Sequence, residues 1–241
     1  MKQKTDSFRQ HNHSFIPSSD QPEQDKSTGL TVFIHGLGQE PVAWKKIGEI
    51  LELEQAEYLD LPDLWKKAGF SSDRKLTWSA FYRYFSRHLN TLQGPFHLCG
   101  LSLGAELALQ YALDHPENVS SLVLAAPVIK APRALLKIQN GIFRLLPKSQ
   151  FPETGFSRQD FLSLCASMAD LDFSSRMKKL SMPVLLLAGE KDKLSCKTCQ
   201  TWGIVPPKGQ FSILEECGHE INLENPATTA EILSSFWKEP R

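Results

Sequence analysis

The chain has 241 residues, 41% of them hydrophobic and 22% charged, with 27 Lys and Arg against 27 Asp and Glu. A chain of this size buries roughly 70% of the surface its unfolded form exposes, enough for one domain without disulfide or metal staples. Balanced charge excludes a polybasic nucleic-acid binder, whose affinity comes from cations neutralising phosphates, and equally an acidic, solvating, disordered chain.

Five cysteines are too few, and odd in number, for a dense disulfide framework, so reduced thiols and a cytoplasmic location are expected. No apolar run approaches the roughly 18 to 20 residues of a membrane span. The amino terminus also lacks the apolar stretch, about 7 to 15 residues long, of a signal peptide.

Residues 1–28 are rich in Gln, Ser, Asp, Lys and His, with Phe15-Ile16 as their apolar cluster, and are expected to form a disordered polar tail. His11 and His13 have no carboxylate or thiol partner at a metal-binding spacing, and no metal is assigned to them. Six short apolar runs follow: residues 31–34, 56–61, 96–99, 122–126, 184–188 and 211–214. Because they are nearly continuous runs and do not alternate, they suit strands of a parallel sheet covered on both faces.

Helical patterns lie between them. Trp78, Phe81, Phe85, Leu89 and Leu92 stack one apolar stripe behind Thr77 as N-cap. Asn225-Pro226, ahead of Ile232, Leu233, Phe236 and Trp237, reads as a cap, an N1 proline and a docked last helix. Strands alternating with helices imply an α/β fold with an open, mostly parallel sheet of about six to eight strands and right-handed crossovers.

Residues 128–180 interrupt the alternation with helical or loop signals alone, in one helix around residues 135–145 and another around 161–171. A single crossover helix needs no such length, so this stretch is expected to be a helical cap over the carboxyl edge of the sheet, where α/β ligand sites form. The core is then residues 29–127 and 181–241. Lys130, Arg133, Lys137, Arg144, Lys148, Arg158, Arg176, Lys178 and Lys179 face only Glu153, Asp160, Asp170 and Asp172, a local charge of about +5 in a neutral chain. Such a cap would suit a substrate carrying negative charge.

Gly100-Leu101-Ser102-Leu103-Gly104 directly follows an expected strand and opens a helix. A serine on such a tight turn is lifted above the sheet, glycines relieve the crowding, and the helix N-terminus offers N–H groups to a developing oxyanion. A hydroxyl needs a base to take its proton and an acid to orient that base. Asp192 follows the strand at 184–188 and His219 the strand at 211–214, so both fall at the same sheet edge as Ser102.

The order Ser102, Asp192, His219 resembles that of the α/β-hydrolase superfamily, and the resemblance covers about residues 30–238. His35-Gly36-Leu37-Gly38 resembles its H-G oxyanion loop and Leu59-Asp60-Leu61-Pro62 its second-strand signature. His115-Pro116-Glu117-Asn118-Val119 and Glu224-Asn225-Pro226 fit the same pattern. The resemblance implies that the backbone N–H groups of Leu37 and Leu103 form an oxyanion hole. It departs from the family in lacking a glycine-rich turn after Pro62 and any convincing hairpin before Thr31.

The reading so far is a serine hydrolase acting on a small carboxylic ester or thioester through an acyl-enzyme, with no cofactor. A triad-dependent lyase or C–C hydrolase acting on a small carboxylate is the alternative of the same fold, and a non-catalytic ligand-binding protein the alternative of another class. No oligomeric state is assigned. Glu190 competes with Asp192 for the acid, whereas Ala125-Ala126-Pro127 offers none after the preceding strand. His35 is expected to brace the oxyanion loop. Cys196-x-x-Cys199 lacks the second pair of a zinc site and is expected on a helix face.

Overall fold

The structure, a computed structural model, describes residues 29–68, 75–130 and 156–238. The polar tail and the helix expected around residues 135–145 lie outside the described residues, as do Arg133, Lys137, Arg144, Lys148 and Glu153.

Six strands form one sheet: β1 (Thr31–Ile34), β2 (Ala56–Leu59), β3 (Phe96–Leu101), β4 (Val119–Ala125), β5 (Val184–Gly189) and β6 (Gly209–Leu214). Their order is β2-β1-β3-β4-β5-β6, and every pair is parallel. Parallel strands require crossovers, here helices α1 (Lys45–Ile50), α2 (Leu61–Lys67), α3 (Trp78–Leu89), α4 (Leu103–Asp114), α5 (Arg158–Ser167) and α6 (Lys193–Trp202). Helices α7 (Ile221–Glu224) and α8 (Pro226–Lys238) close the chain.

Successive strand residues divide between two apolar layers, because side chains alternate across a strand. Val32, Ile34, Leu98, Leu122, Leu124 and Leu186 pack with α3 and α4 on one face, where Phe81, Phe85 and Leu89 are fully buried. Phe33, Cys99, Leu101, Val123, Leu185 and Leu187 pack on the other, against Trp44, Ile47, Leu233 and Phe236. Thr77 Oγ1 accepts from the Ala80 N–H at 3.4 Å, and Asn225 Oδ1 accepts from the Thr228 N–H at 3.1 Å, so both expected caps are present.

Two of the boundaries that differ from expectation have a local cause. The second strand ends at Leu59 because Asp60 Oδ1 accepts from the Asp63 N–H at 2.9 Å and caps α2, with Pro62 in its first turn. The fourth strand begins earlier, at Val119, and Ser121 is buried in it with His97 Nδ1 2.7 Å from its Oγ and Trp237 Nε1 donating to it at 3.0 Å.

The order of strands reverses between β1 and β3. In an open parallel sheet a crevice opens at such a switch point, outside the carboxyl ends of the strands. Ile34 pairs with Gly100, so the residues that follow them, His35 to Gln39 and Ser102, lie at that switch point.

The long connection from β4 to β5 leaves and returns at one neck. Phe173 N–H donates to Ile129 O at 2.8 Å, and Lys130 pairs with Asp172 at 3.0 Å. Beyond the neck the chain descends to the amino end of β5, and Arg176 Nη2 binds Asp114 Oδ1 at 2.6 Å at the far end of α4. A helix of that length puts this contact roughly 18 Å from Ser102. Arg176, Lys178 and Lys179, counted with the positive cap, therefore lie on the descending stem and not above the carboxyl edge.

Candidate active site

Ser102 stands between β3 and α4 with φ 53° and ψ −118°, a conformation uncommon for a side chain other than glycine. Its N–H donates to Ala125 O of β4 at 2.8 Å, which anchors the turn. A Cβ at Gly100 would lie 2.2 Å from Gly104 O, and one at Gly104 would lie 2.4 Å from Ile34 O. The two glycines thus let the start of α4 fold directly onto the ends of β3 and β1. Such strain persists only where the surroundings hold it, and sites that display a reactive side chain are where it gathers.

Asp192 and His219 come together. His219 Nδ1 lies 2.6 Å from Asp192 Oδ2, and since a carboxylate only accepts, Nδ1 carries the proton and Nε2 is left for proton transfer. Asp192 also caps α6: its Oδ1 accepts from the Ser195 N–H at 3.1 Å and its Oδ2 from the Ser195 hydroxyl at 2.6 Å. Burial works to raise the Asp192 pKa, but the hydrogen bonds from His219 and Ser195 outweigh it and hold it down at about 2. The hydrogen bond to Asp192 in turn raises the His219 pKa above its usual 6.5, against the opposing effect of burial. Glu190, the rival acid, turns away and accepts from the Glu216 N–H at 3.2 Å.

His219 is set on a loop that folds back over β5. Lys191 N–H donates to Cys217 O at 2.8 Å, and a Cβ at Gly189 would lie only 2.0 Å from Gly218 O. Glu224 clasps the backbone on both sides of the histidine, accepting from the Gly218 N–H at 2.6 Å and the Glu220 N–H at 3.1 Å. The His219 side chain keeps 49% of its surface exposed, whereas Asp192 keeps 15%. Among the described residues no hydrogen bond joins Ser102 Oγ to His219, whose ring is held by Asp192.

The loop after β1 is braced as expected. His35 Nε2 accepts from the Leu61 N–H at 3.2 Å, so its Nδ1 is the protonated nitrogen and donates to Gly36 O at 2.8 Å. Burial lowers the His35 pKa and keeps the ring neutral. Gly36 O also accepts from the Gln39 N–H at 3.1 Å. A planar trans peptide points its N–H opposite its C=O, so fixing Gly36 O fixes the direction of the Leu37 N–H. The Leu103 N–H, first in α4, has no acceptor within the helix.

Gln39, Ser195 and the clasp of Glu224 were not singled out from the sequence. Neither was Glu106, 7% exposed on α4 one turn beyond Ser102, whose Oε2 has no hydrogen-bond partner among the described residues. Burial lifts its pKa to about 8, so the carboxyl is protonated near neutrality. A D-x-x-S pattern could have announced Ser195 as the partner of a capping Asp192. Cys196 and Cys199 lie on α6 as expected, and all five cysteines are free. Among the described residues no group of His, Cys, Asp and Glu could hold a metal ion, and no helix is long and apolar enough to cross a membrane.

A family model described as Alpha/beta hydrolase family matches residues 31–232. A curated relative, monoacylglycerol lipase abhd6-B of Xenopus laevis, is 25% identical over 183 residues, 59% of this chain and 54% of its own. The chain thus spans about half the length of the first curated relatives it matches. A protein of Bacillus subtilis (strain 168) named as a putative 2-succinyl-6-hydroxy-2,4-cyclohexadiene-1-carboxylate synthase is 24% identical over 176 residues, 58% of this chain and 64% of its own. Among solved structures, MenH from S. aureus superposes with a TM-score of 0.67 at 18% identity, covering 88% of this chain and 94% of that one.

Proposed function

Since the chain belongs to the alpha/beta hydrolase family, we propose that it is a serine hydrolase that cleaves a small carboxylic ester or thioester through an acyl-enzyme. The observation that carries this reading is the 2.6 Å pair of His219 and Asp192 at the same sheet edge as the strained Ser102. An oriented base with a raised pKa at the same sheet edge as a half-buried hydroxyl fits what nucleophilic acyl transfer requires.

In the proposed reaction Ser102 Oγ attacks the carbonyl carbon while His219 Nε2 takes the hydroxyl proton. Negative charge moves to the carbonyl oxygen, where the N–H groups of Leu37 and Leu103 receive it. Each such donor is worth roughly 3 to 4 kcal/mol in the transition state, because it meets charge that the ground state lacks. The tetrahedral intermediate collapses as His219 returns the proton to the departing alcohol or thiol. Water then repeats the attack on the acyl-enzyme, with His219 again the base, and frees the acid. Asp192 stays ionised throughout and holds the ring in one tautomer.

A relative named as a monoacylglycerol lipase supports an ester substrate. One named as a synthase supports a second reading, in which the same pair serves a lyase or C–C cleavage on a small carboxylate. Turnover separates them. Esters and thioesters should be hydrolysed with an acyl-enzyme burst, whereas a protein that turns over only carbon-acid substrates is a lyase. The intact Asp192–His219 pair argues against a purely binding role, and inertness toward all three substrate classes would restore that role.

A further inference from the structure

Gln39 uses its whole amide. Its Oε1 accepts from the Gly36 N–H at 3.2 Å and from Asn222 Nδ2 at 3.2 Å. Its Nε2 donates to Glu220 Oε1 at 2.9 Å and to Asn222 Oδ1 at 3.2 Å. Asn222 Nδ2 also donates to Ala43 O at 3.3 Å, so this second amide is held from the oxyanion-loop side as well. Gln39 is 6% exposed and Asn222 1%. The amide orientation is fixed, because reversing Gln39 would set its oxygen against the Glu220 carboxylate.

These bonds cross between two loops that the sheet delivers separately. Gly36 and Gln39 follow β1, whereas Glu220 and Asn222 follow β6 and flank His219. The strands that carry them are not neighbours in the sheet. Glu224 fixes the histidine loop within itself, and His35 ties the loop after β1 to the start of α2. Among the described residues, the Gln39 amide pair joins the two directly through side chains.

We propose that Gln39 is a positioning residue, which registers the backbone donor at Leu37 against the base at His219 through the Gln39–Glu220 and Gln39–Asn222 hydrogen bonds. It touches neither nucleophile nor substrate. Its effect is on the spacing of two groups that must act on one tetrahedral centre, and that spacing matters in the transition state more than in substrate binding. The inference rests on the serine-hydrolase reading.

The test compares wild type, Gln39→Glu, and Gln39→Glu combined with Glu220→Gln, reading kcat, KM, melting temperature and the rate of labelling by a fluorophosphonate. Gln39→Glu sets two carboxylates together and should lower kcat and the labelling rate tenfold or more with KM within about threefold, since a hydrogen bond to a charged group is lost. The reciprocal double variant restores a donor to 220 and an acceptor to 39, and should recover most of the loss. Glu220→Ala, at an exposed position, guards against a variant that fails to fold: it should lower kcat about threefold, and Glu220→Gln should lower it less. Unchanged kcat in Gln39→Glu and Glu220→Ala overturns the proposal, as does a folded double variant no better than Gln39→Glu. Failure of wild type to label at all overturns the serine-hydrolase reading and this inference with it, whereas wild-type labelling with indifferent Gln39 variants overturns the inference alone.

Discussion

One carboxylate oxygen of Asp192 holds both His219 and Ser195: Oδ2 lies 2.6 Å from His219 Nδ1 and accepts the Ser195 hydroxyl at 2.6 Å. Ser195 sits in the first turn of the helix that Asp192 caps, so the local fold of α6 and the tautomer of the histidine are set by the same side chain.

That relationship fixes the pH response. His219 must be neutral to take a proton, and its pKa lies above 6.5 because of the hydrogen bond to Asp192. The proposed activity therefore rises with pH, with an inflection in kcat/KM above 6.5. Asp192→Asn removes the cause of the shift, so the inflection should move down while kcat falls roughly a thousandfold or more. Coincident pH profiles for the two proteins would show that Asp192 does not orient this base.

Gly189→Ala tests how the histidine loop is held. The added Cβ would come within 2.0 Å of Gly218 O, and backbone on both sides leaves little room to yield. The loop must lift, so activity should fall at least tenfold while far-UV circular dichroism still reports the α/β fold, a barrier change of about 1.4 kcal/mol or more. Wild-type activity in this variant would mean that the loop is free to sit elsewhere.

Glu106 gives the fold a pH dependence of its own. Burial lifts its pKa to about 8 in the folded chain from an ordinary 4.5, so the folded state keeps a proton that the unfolded state gives up. Stability then falls as pH rises from about 4.5 toward about 8. Glu106→Gln keeps the shape and cannot ionise. Its unfolding free energy by urea denaturation, relative to wild type, should climb across that window, reaching an advantage on the order of 2 to 4 kcal/mol at the upper end. A difference that stays constant with pH would show that the carboxyl is not held neutral.

Much of this architecture was legible because parallel strands buried on both faces must be apolar throughout. Runs such as residues 184–188 and 96–99 marked β5 and β3 for that reason. The start of β4 was hidden, since Ser120 and Ser121 look like a turn until Ser121 is seen to meet His97 and Trp237 in the interior. Leu61 looked like strand because apolarity does not distinguish a strand's last residue from a helix's first, and the cap at Asp60 decides between them. Ser102, Asp192 and His219 stood out because each closes a strand at one edge. Gln39 and Glu106 did not, because their meaning comes from partners remote in sequence or from burial that leaves a carboxyl oxygen unpaired among the described residues, and no local pattern encodes either.

The most direct measurement is intact-protein and peptide mass spectrometry after treatment with a fluorophosphonate. The account predicts one adduct per chain, located on Ser102, forming faster as pH rises through the His219 ionisation and absent in Ser102→Ala. A folded wild-type protein that takes up no adduct, or takes it up equally in Ser102→Ala, would contradict the claim that Ser102 is an activated nucleophile.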